Sequence, residues 1–208
     1  MTSPSAQSSA RAASVSRVSR ETRVQVTFEA DAARAPHIQT PLPFFSHMLD
    51  AFACHGRFGL SVEASGDIEV DPHHLMEDVG IVLGQAIAQA LDGYKGIARA
   101  GCFAFPMDGS LALVALDLCG RPNLTWNVPL GALPVGALDP HLFREFFKGL
   151  IDGMRATAHL HVPCHDNDHH VLEALFKAFA RALRQAAGRI EPGDALSGAL
   201  STKGMLDA

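Results

Sequence analysis

The sequence predicts a duplicated α+β fold, with two-layer sandwich halves whose helices cover one face of a mostly antiparallel sheet. Three observations predict it. Segments of strand periodicity and of helix periodicity follow one another in mixed order, without the strict alternation of a parallel sheet. His73-His74-Leu75-Met76-Glu77 and His169-His170-Val171-Leu172-Glu173 spell one pattern, His-His-x-x-Glu, twice. Chance supplies roughly 0.02 such matches in a chain of this composition. At the same offset of 96, Ala86, Gln89 and Ala90 fall on Ala182, Gln185 and Ala186, so the repeat extends into the segments that follow.

Each element has its own warrant. Thr22 to Glu29 alternates with Val24, Val26 and Phe28 on one face, a half-buried strand. Phe44 to Gly56 carries Phe45, Met48, Leu49 and Phe52 at helical spacing, and Gly56 suits a C′ position. Leu60 to Val70 reads as a hairpin turned at Ser65-Gly66-Asp67. Leu75 to Leu91 is a helix with Val79, Val82, Leu83 and Ile87 inward, stopped at Asp92-Gly93. In the second half, Cys102 to Phe105 and Leu111 to Leu118 are paired strands around Pro106-Met107-Asp108-Gly109, and Leu124 to Val128 is a third. His141 to Gly153 reads as a helix, Thr157 to Val162 as a strand and Val171 to Ala187 as a long helix. The expected division is an unstructured extension over 1–19, a first half-repeat over 20–98, and a second over 99–208 that ends in a substrate-binding tail.

Composition narrows the function. The 208 residues are 48% hydrophobic and 19% charged, with net charge −5, as expected for a soluble globular chain. No basic stripe with interleaved aromatics argues for nucleic acid, and no apolar run approaches the roughly 18 residues of a membrane helix. Cys54, Cys102, Cys119 and Cys164 are scattered singly, so neither a disulfide framework nor a thiolate zinc site is expected, and a cytoplasmic home is. The Ser-, Ala- and Arg-rich first 20 residues lack acids, a composition shared with plastid transit peptides, but they have no convincing amphipathic face. No Gly-rich phosphate loop, Gly-x-Ser-x-Gly elbow or His-Glu-x-x-His motif is present.

Imidazole and carboxylate grouped without thiolate form a donor set for first-row transition metals. On a helix, residues three and four apart share a face, so each Glu sits beside the histidines that precede it. Adjacent residues diverge by about 100° at 3.6 residues per turn, so one doublet serves two ions more readily than one. Two metals per site are therefore expected.

Around these doublets the chain carries further signatures in order: Arg20-Glu21-Thr22; Phe45-Ser46-His47-Met48-Leu49-Asp50 with His55-Gly56; Asp71-Pro72-His73-His74 through Glu77-Asp78-Val79-Gly80; Lys95-Gly96-Ile97-Ala98-Arg99; Pro106-Met107-Asp108; Asp117-Leu118-Cys119-Gly120-Arg121-Pro122; Glu145-Phe146-Phe147; Asn167-Asp168-His169-His170; Phe176-Lys177-Ala178-Phe179; and Ser201-Thr202-Lys203-Gly204. In this set, spanning about Arg20 to Leu206, the chain resembles the imidazoleglycerol-phosphate dehydratases of histidine biosynthesis. The resemblance implies halves like the second domain of ribosomal protein S5. It also implies trimers assembled into a 24-mer shell, active sites between protomers, and two Mn2+ per site. The ligands it implies are His47, His73, His74, Glu77, His169, His170 and Glu173. Glu145 stands at the place matching His47, where many members have His; it is either an eighth ligand or a solvated helix carboxylate. His159 and His161 are a reserve, on one face of a strand. His47, His73, His74 and Glu77 would also touch substrate, and Arg99, Arg121, Lys177, Ser201, Thr202 and Lys203 match phosphate- and substrate-binding positions.

The implied reaction removes a hydroxyl and an unactivated carbon-bound proton from imidazole glycerol phosphate. Loss of the ring proton gives an imidazolate whose electrons expel the neighbouring hydroxyl through a conjugated diazafulvene, and cations beside both ring nitrogens would favour that anion. A positioned base is then required. By resemblance it is Glu21, which on its own would read as a surface carboxylate. Asp108 is a second proton-handling candidate, although Asp before Gly109 is also ordinary turn chemistry. The chain departs from the family's usual residues at Thr40-Pro41-Leu42 (Thr-Gly-Ile), Ser46 (Asp), Ala51 (Gln), Gly109 (Glu) and His165-Asp166 (a Gly and a basic residue). Asp166 and Asp168 are expected to disfavour a nearby phosphate. Those departures leave open a catalytically weakened paralogue that binds metal and a phosphorylated imidazole, or a metal-dependent hydrolase.

Overall fold

A computed structural model describes residues 11–190. It contains β1 (Ala12–Val18), β2 (Thr22–Glu29), β3 (His37–Gln39), α1 (Pro43–Gly56), β4 (Gly59–Gly66), α2 (His73–Ala90), β5 (Ala100–Met107), β6 (Ser110–Asp117), β7 (Asn123–Asn127), α3 (Leu142–Met154), β8 (Thr157–Cys164) and α4 (Asp168–Ala186). The order βββαβα is thus traversed twice. The sheets share one topology, β1-β2-β4-β3 and β5-β6-β8-β7, each antiparallel except for a parallel edge strand. This is the duplicated α+β architecture that the sequence predicts.

Each sheet turns one face inward. Val24, Val26 and Phe28 of β2 and Ala112, Val114 and Leu116 of β6 are buried. In the first half α2 covers β1 and β2, and α1 touches β3; in the second, α4 covers β5 and β6, and α3 touches β7. The halves join helix to helix, α2 on α3 and α1 on α4, which gives four layers, β-α-α-β, around one continuous core. Among the described residues no helix is long and apolar enough to cross a membrane.

The contact of α2 with α3 is unusually close because both faces are glycine. A Cβ on Gly84 would overlap the Leu150 carbonyl oxygen and lie 2.7 Å from the Met154 nitrogen. One on Gly149 would lie 2.6 Å from the Glu77 carbonyl oxygen, and Gly80 and Gly153 face backbone in the same way. Here glycine serves close approach of two backbones rather than an unusual φ.

Both α1 and α3 end on an arginine in the left-handed region, Arg57 (φ 54°) and Arg155 (φ 53°). Gly56, expected as C′, is instead the last residue of α1. Its missing side chain makes room for the Phe58 ring, while the Arg57 and Phe58 N–H groups donate to Cys54 and Ala53 carbonyls. Arg184 of α4 donates to the Gly56 and Arg57 carbonyls (2.7 and 2.5 Å) and lies over the Phe58 ring, so the second half caps a first-half helix. Tyr94 returns the favour by donating its hydroxyl to the Met154 carbonyl at the end of α3.

Three expectations are corrected. Residues 12–18 are not an extension: they form edge strand β1, paired along its length with β2, and residues 1–10 lie outside the described ones. The small inward residues Ala13 and Val15 gave too weak an alternation to show it. Leu60 to Val70 is not a hairpin. β2 and β3 take both edges of β4, so no return strand can add, and 67–70 form a turn closed by Val70 N–H on the Asp67 carbonyl (2.8 Å). Finally, α2 and α4 begin before the apolar periodicity does, which places both histidine doublets in a first helical turn.

Arg11 ties the start of β1 to the end of α4, donating to Ala187 O (2.6 Å) and to both carboxylate oxygens of Asp31, which Arg189 also reaches at 3.3 Å. The Arg11 hydrogen bond holds the Asp31 pKa down to about 2 against some desolvation. A carboxylate depressed in the folded state stabilises above its unfolded pKa. The contribution should therefore fade as pH falls from about 4 towards 2. Asp31→Asn should flatten that part of the acid-unfolding curve and lower stability at neutral pH modestly, by no more than about 1 kcal/mol, because solvent screens this half-exposed pair. Gly84→Ala should cost about 1–3 kcal/mol by forcing α2 from α3, read as a lower denaturant midpoint at unchanged m-value.

Candidate active site

The first doublet, on α2, meets first-half groups and one residue of α3. His74 Nδ1 lies 3.3 Å from Asp67 Oδ1 and 3.9 Å from Glu21 Oε2. His73 Nε2 lies 3.9 Å from Glu77 Oε2, and Lys148 of α3 approaches the other Glu77 oxygen at 3.9 Å. Glu21 sits in the tight connection from β1 to β2. Ser19 Oγ accepts from the Glu21 and Thr22 N–H groups, and the buried Thr22 hydroxyl donates to Asp78 of α2 at 2.5 Å. Arg17 of β1 holds the other Asp78 oxygen at 2.8 Å. These bonds fix Glu21 relative to the helix that carries His74.

The second doublet, on α4, is reached from the other half as well. Because α1 packs on α4, His47 arrives beside His169 and Glu173. Glu173 Oε2 is 3.3 Å from His169 Nε2 and 3.8 Å from His47 Nε2, and donor atoms of all three lie within 4.8 Å of one another. Among the described residues this is the grouping of three His, Cys, Asp or Glu side chains that meets that spacing. Phe44 packs against both rings, with centroids 5.1 Å from His169 and 6.5 Å from His47. Lys177 holds the remaining Glu173 oxygen at 2.7 Å. Burial pushes the Glu173 pKa up, but Lys177, His47 and His169 outweigh it and bring it below its ordinary value. The carboxylate is thus kept ionised, with one oxygen facing two imidazoles, a donor set suited to a borderline divalent cation.

His170 points to a different neighbourhood. Its Nδ1 is 2.9 Å from Asp166 Oδ2, and its Nε2 is 3.5 Å from Asp108 Oδ2. Donation of a hydrogen bond to Asp67 raises the His74 pKa, and donation to Asp166 raises that of His170, in both cases against slight desolvation. Asp166 itself is held well below the carboxylate range, by Ser110 first, then by His170 and backbone N–H groups.

The other nominated residues are placed less centrally. Glu145 pairs with its neighbour Arg144 at 3.3 Å and does not join His73 and Glu77 in a three-donor group. Arg99 is fixed on Asp117 by two bonds (2.7 and 3.0 Å), and the Arg121 carbonyl accepts from Thr157 Oγ1. Ser201, Thr202 and Lys203 lie outside the described residues. His159 and His161 stand on the outer face of the second sheet, opposite the inward Ala158, Leu160 and Val162, with His161 beside Asn127 at 2.5 Å. They are therefore away from the helix starts. Sequence reasoning passed over Asp67 and did not see Asp166 as a histidine partner. Their spacings from the histidines differ, seven residues and four, so no shared pattern announced them.

A duplicated α+β scaffold that sets imidazoles and carboxylates at two helix starts defines an enzyme of acid–base or metal-assisted chemistry. The family model described as Imidazoleglycerol-phosphate dehydratase matches residues 40–183. The imidazoleglycerol-phosphate dehydratase of Geobacter metallireducens is 47% identical over 196 residues, 94% of this chain and 99% of that one. That of Citrifermentans bemidjiense is 48% identical over 200 residues, 95% and 100% of the two chains. The crystal structure of the Staphylococcus aureus enzyme matches with TM-score 0.78 at 36% identity, covering 86% of this chain and 99% of that one. The Pyrococcus furiosus structure gives 0.76 at 34%, covering 92% and 100%. The chain belongs to the imidazoleglycerol-phosphate dehydratase family and is a dehydratase.

Thr22→Val should leave Asp78 short of a buried donor and cost about 1.5–3 kcal/mol in chemical unfolding, while Thr22→Ser should retain most of the stability.

Proposed function

We propose that this protein dehydrates imidazole glycerol phosphate to imidazole acetol phosphate, in histidine biosynthesis, and that it does so with two Mn2+ per site. The observation that carries the metal reading is the convergence of His47, His169 and Glu173, from two halves of the chain, to within 4.8 Å. His73, His74, Glu77 and His170 are the remaining donors, with Glu145 a further candidate. When bound, the metal would supply positive charge that favours an anionic imidazole ring and grips a substrate hydroxyl.

The chain's own residues do the rest. Glu21, braced through Thr22 and Asp78 and 3.9 Å from His74 Nδ1, would take the carbon-bound proton. Asp108, 3.5 Å from His170 Nε2, would pass protons at the opposite doublet. Lys177 sits between Glu173 and the Phe105 ring, a cation that suits a phosphate once a metal takes over the carboxylate. Arg99, Arg121 and the 201–203 segment complete the proposed substrate contacts.

Assembly belongs to the same reading. Among the described residues each chain gathers one three-donor group, while His74 and His170 keep open sides, 36% and 27% exposed. Ligands or substrate contacts from a second copy would fill those sides, in line with a 24-mer built from trimers in the cytoplasm. The weakened-paralogue reading is less well supported. Ser46 bonds locally to Thr40 Oγ1 at 2.9 Å and Ala51 is buried, so neither departure intrudes on the His47 group.

Elemental analysis of purified protein should find manganese, and the dehydration assay should show turnover. His74→Ala or Glu173→Ala should abolish it. Glu21→Gln should cut kcat by about 10²–10⁴-fold while manganese content stays at the wild-type value. Full activity in His74→Ala and Glu173→Ala would defeat the assignment.

A further inference from the structure

Asp166 lies in the connection from β8 to α4 and is gripped from four directions. Its Oδ1 accepts the Ser110 hydroxyl at 2.6 Å and the Asn167 N–H at 2.7 Å. Its Oδ2 accepts the Gly109 N–H at 3.3 Å and lies 2.9 Å from His170 Nδ1. A Cβ on Gly109 would stand 2.8 Å from the Asp166 Cβ, so this approach needs glycine at 109. Gly109 and Asp166 are two of the positions where the family resemblance leads one to expect other residues, and they touch each other.

His170 Nδ1 has a second neighbour that asks for the opposite proton. The Asn167 side-chain nitrogen lies 2.8 Å away, while its oxygen is fixed by the His170 N–H as helix cap (2.9 Å), so the amide cannot turn round. An amide NH₂ donates and calls for a bare Nδ1, whereas a carboxylate only accepts and calls for Nδ1–H. The two demands are incompatible for a neutral ring. The charge-assisted bond is roughly twice as strong as the neutral one, so the carboxylate decides.

We infer that Asp166 is a positioning residue that selects the Nδ1–H form of His170, so that Nε2 presents its lone pair to a metal ion. The inference rests on the manganese reading above. In the first half Asp67 stands in the same relation to His74 at 3.3 Å. Asp166 at 2.9 Å from Nδ1 also outweighs Asp108 at 3.5 Å from Nε2; without Asp166, the Asn167 amide at Nδ1 and the Asp108 carboxylate at Nε2 both favour the proton on Nε2, where it blocks coordination. Outer partners of metal-bound histidines are typically worth 10–100-fold in metal affinity.

The test is isothermal titration of Mn2+ into metal-stripped full-length protein. Asp166→Asn should weaken binding by about 10–100-fold. The double variant Asp166→Asn/Asn167→Asp, which returns a carboxylate to Nδ1 and keeps an N-cap, should recover much of that loss. Gly109→Ala, which displaces Asp166 without removing it, should weaken binding in the same direction and add nothing to Asp166→Asn. Asp31→Asn, the same charge change at a remote place, should bind as wild type does, which separates positioning from net charge. Wild-type affinity in Asp166→Asn, or no recovery in the double variant, overturns the inference and leaves the manganese reading standing. A wild-type protein that takes up no Mn2+ overturns both.

Discussion

The backbone contact between α2 and α3 is the constraint on which the remaining geometry depends. Gly80 and Gly84 on one helix meet Gly149 and Gly153 on the other, so the axes lie closer than any side chain would permit. That approach fixes where Lys148 stands relative to Glu77, and it sets the spacing of the two sheets outside the helices. The equivalent contact of α1 with α4 is made by larger groups, Phe52 against Phe179, and it brings His47 to His169 and Glu173. Neither half could assemble the His47 group alone.

Duplication therefore yields two related but unequal neighbourhoods. Both doublets begin a helix, both Glu residues stand four positions after a His, and both carboxylates are met by a lysine. The helix starts differ: Asn167 caps α4 through its side chain, whereas Pro72 at the start of α2 offers none. The helix ends differ too. Arg184 supports α1 and Tyr94 supports α3, one guanidinium and one phenol for the same terminal carbonyls. Burial pushes the Tyr94 hydroxyl well above its ordinary pKa, consistent with a permanent donor.

Much of this was legible in the sequence, for identifiable reasons. Helices with a strong apolar face, such as α3 with Phe143, Phe146 and Phe147, announce themselves because burial and period coincide. The doublets announce themselves by repetition. Strand β1 did not, since an edge strand that turns Ala13 and Val15 inward has little apolar contrast to display. The turn at 67–70 misled because Ile68 and Val70 alternate like a strand, though Val70 is 74% exposed. The Asp67 and Asp166 partnerships were hidden for another reason: they depend on where connections between elements double back, and periodicity carries no record of that.

This last point changes how the departures at 109 and 166 are to be weighed. Taken singly, an acid near a phosphate site is a liability and a missing Glu is a loss. In space they form one arrangement. Gly109 vacates the volume into which Asp166 folds, and Ser110 supplies the hydroxyl that anchors it. The negative charge is then largely consumed by four hydrogen bonds, one of them to His170, and is not left facing a substrate anion. This mutual fit holds the ring nitrogen opposite the one offered to the proposed metal. Gly109, Ser110 and Asp166 together thus make a support around one histidine rather than a charge set against the substrate.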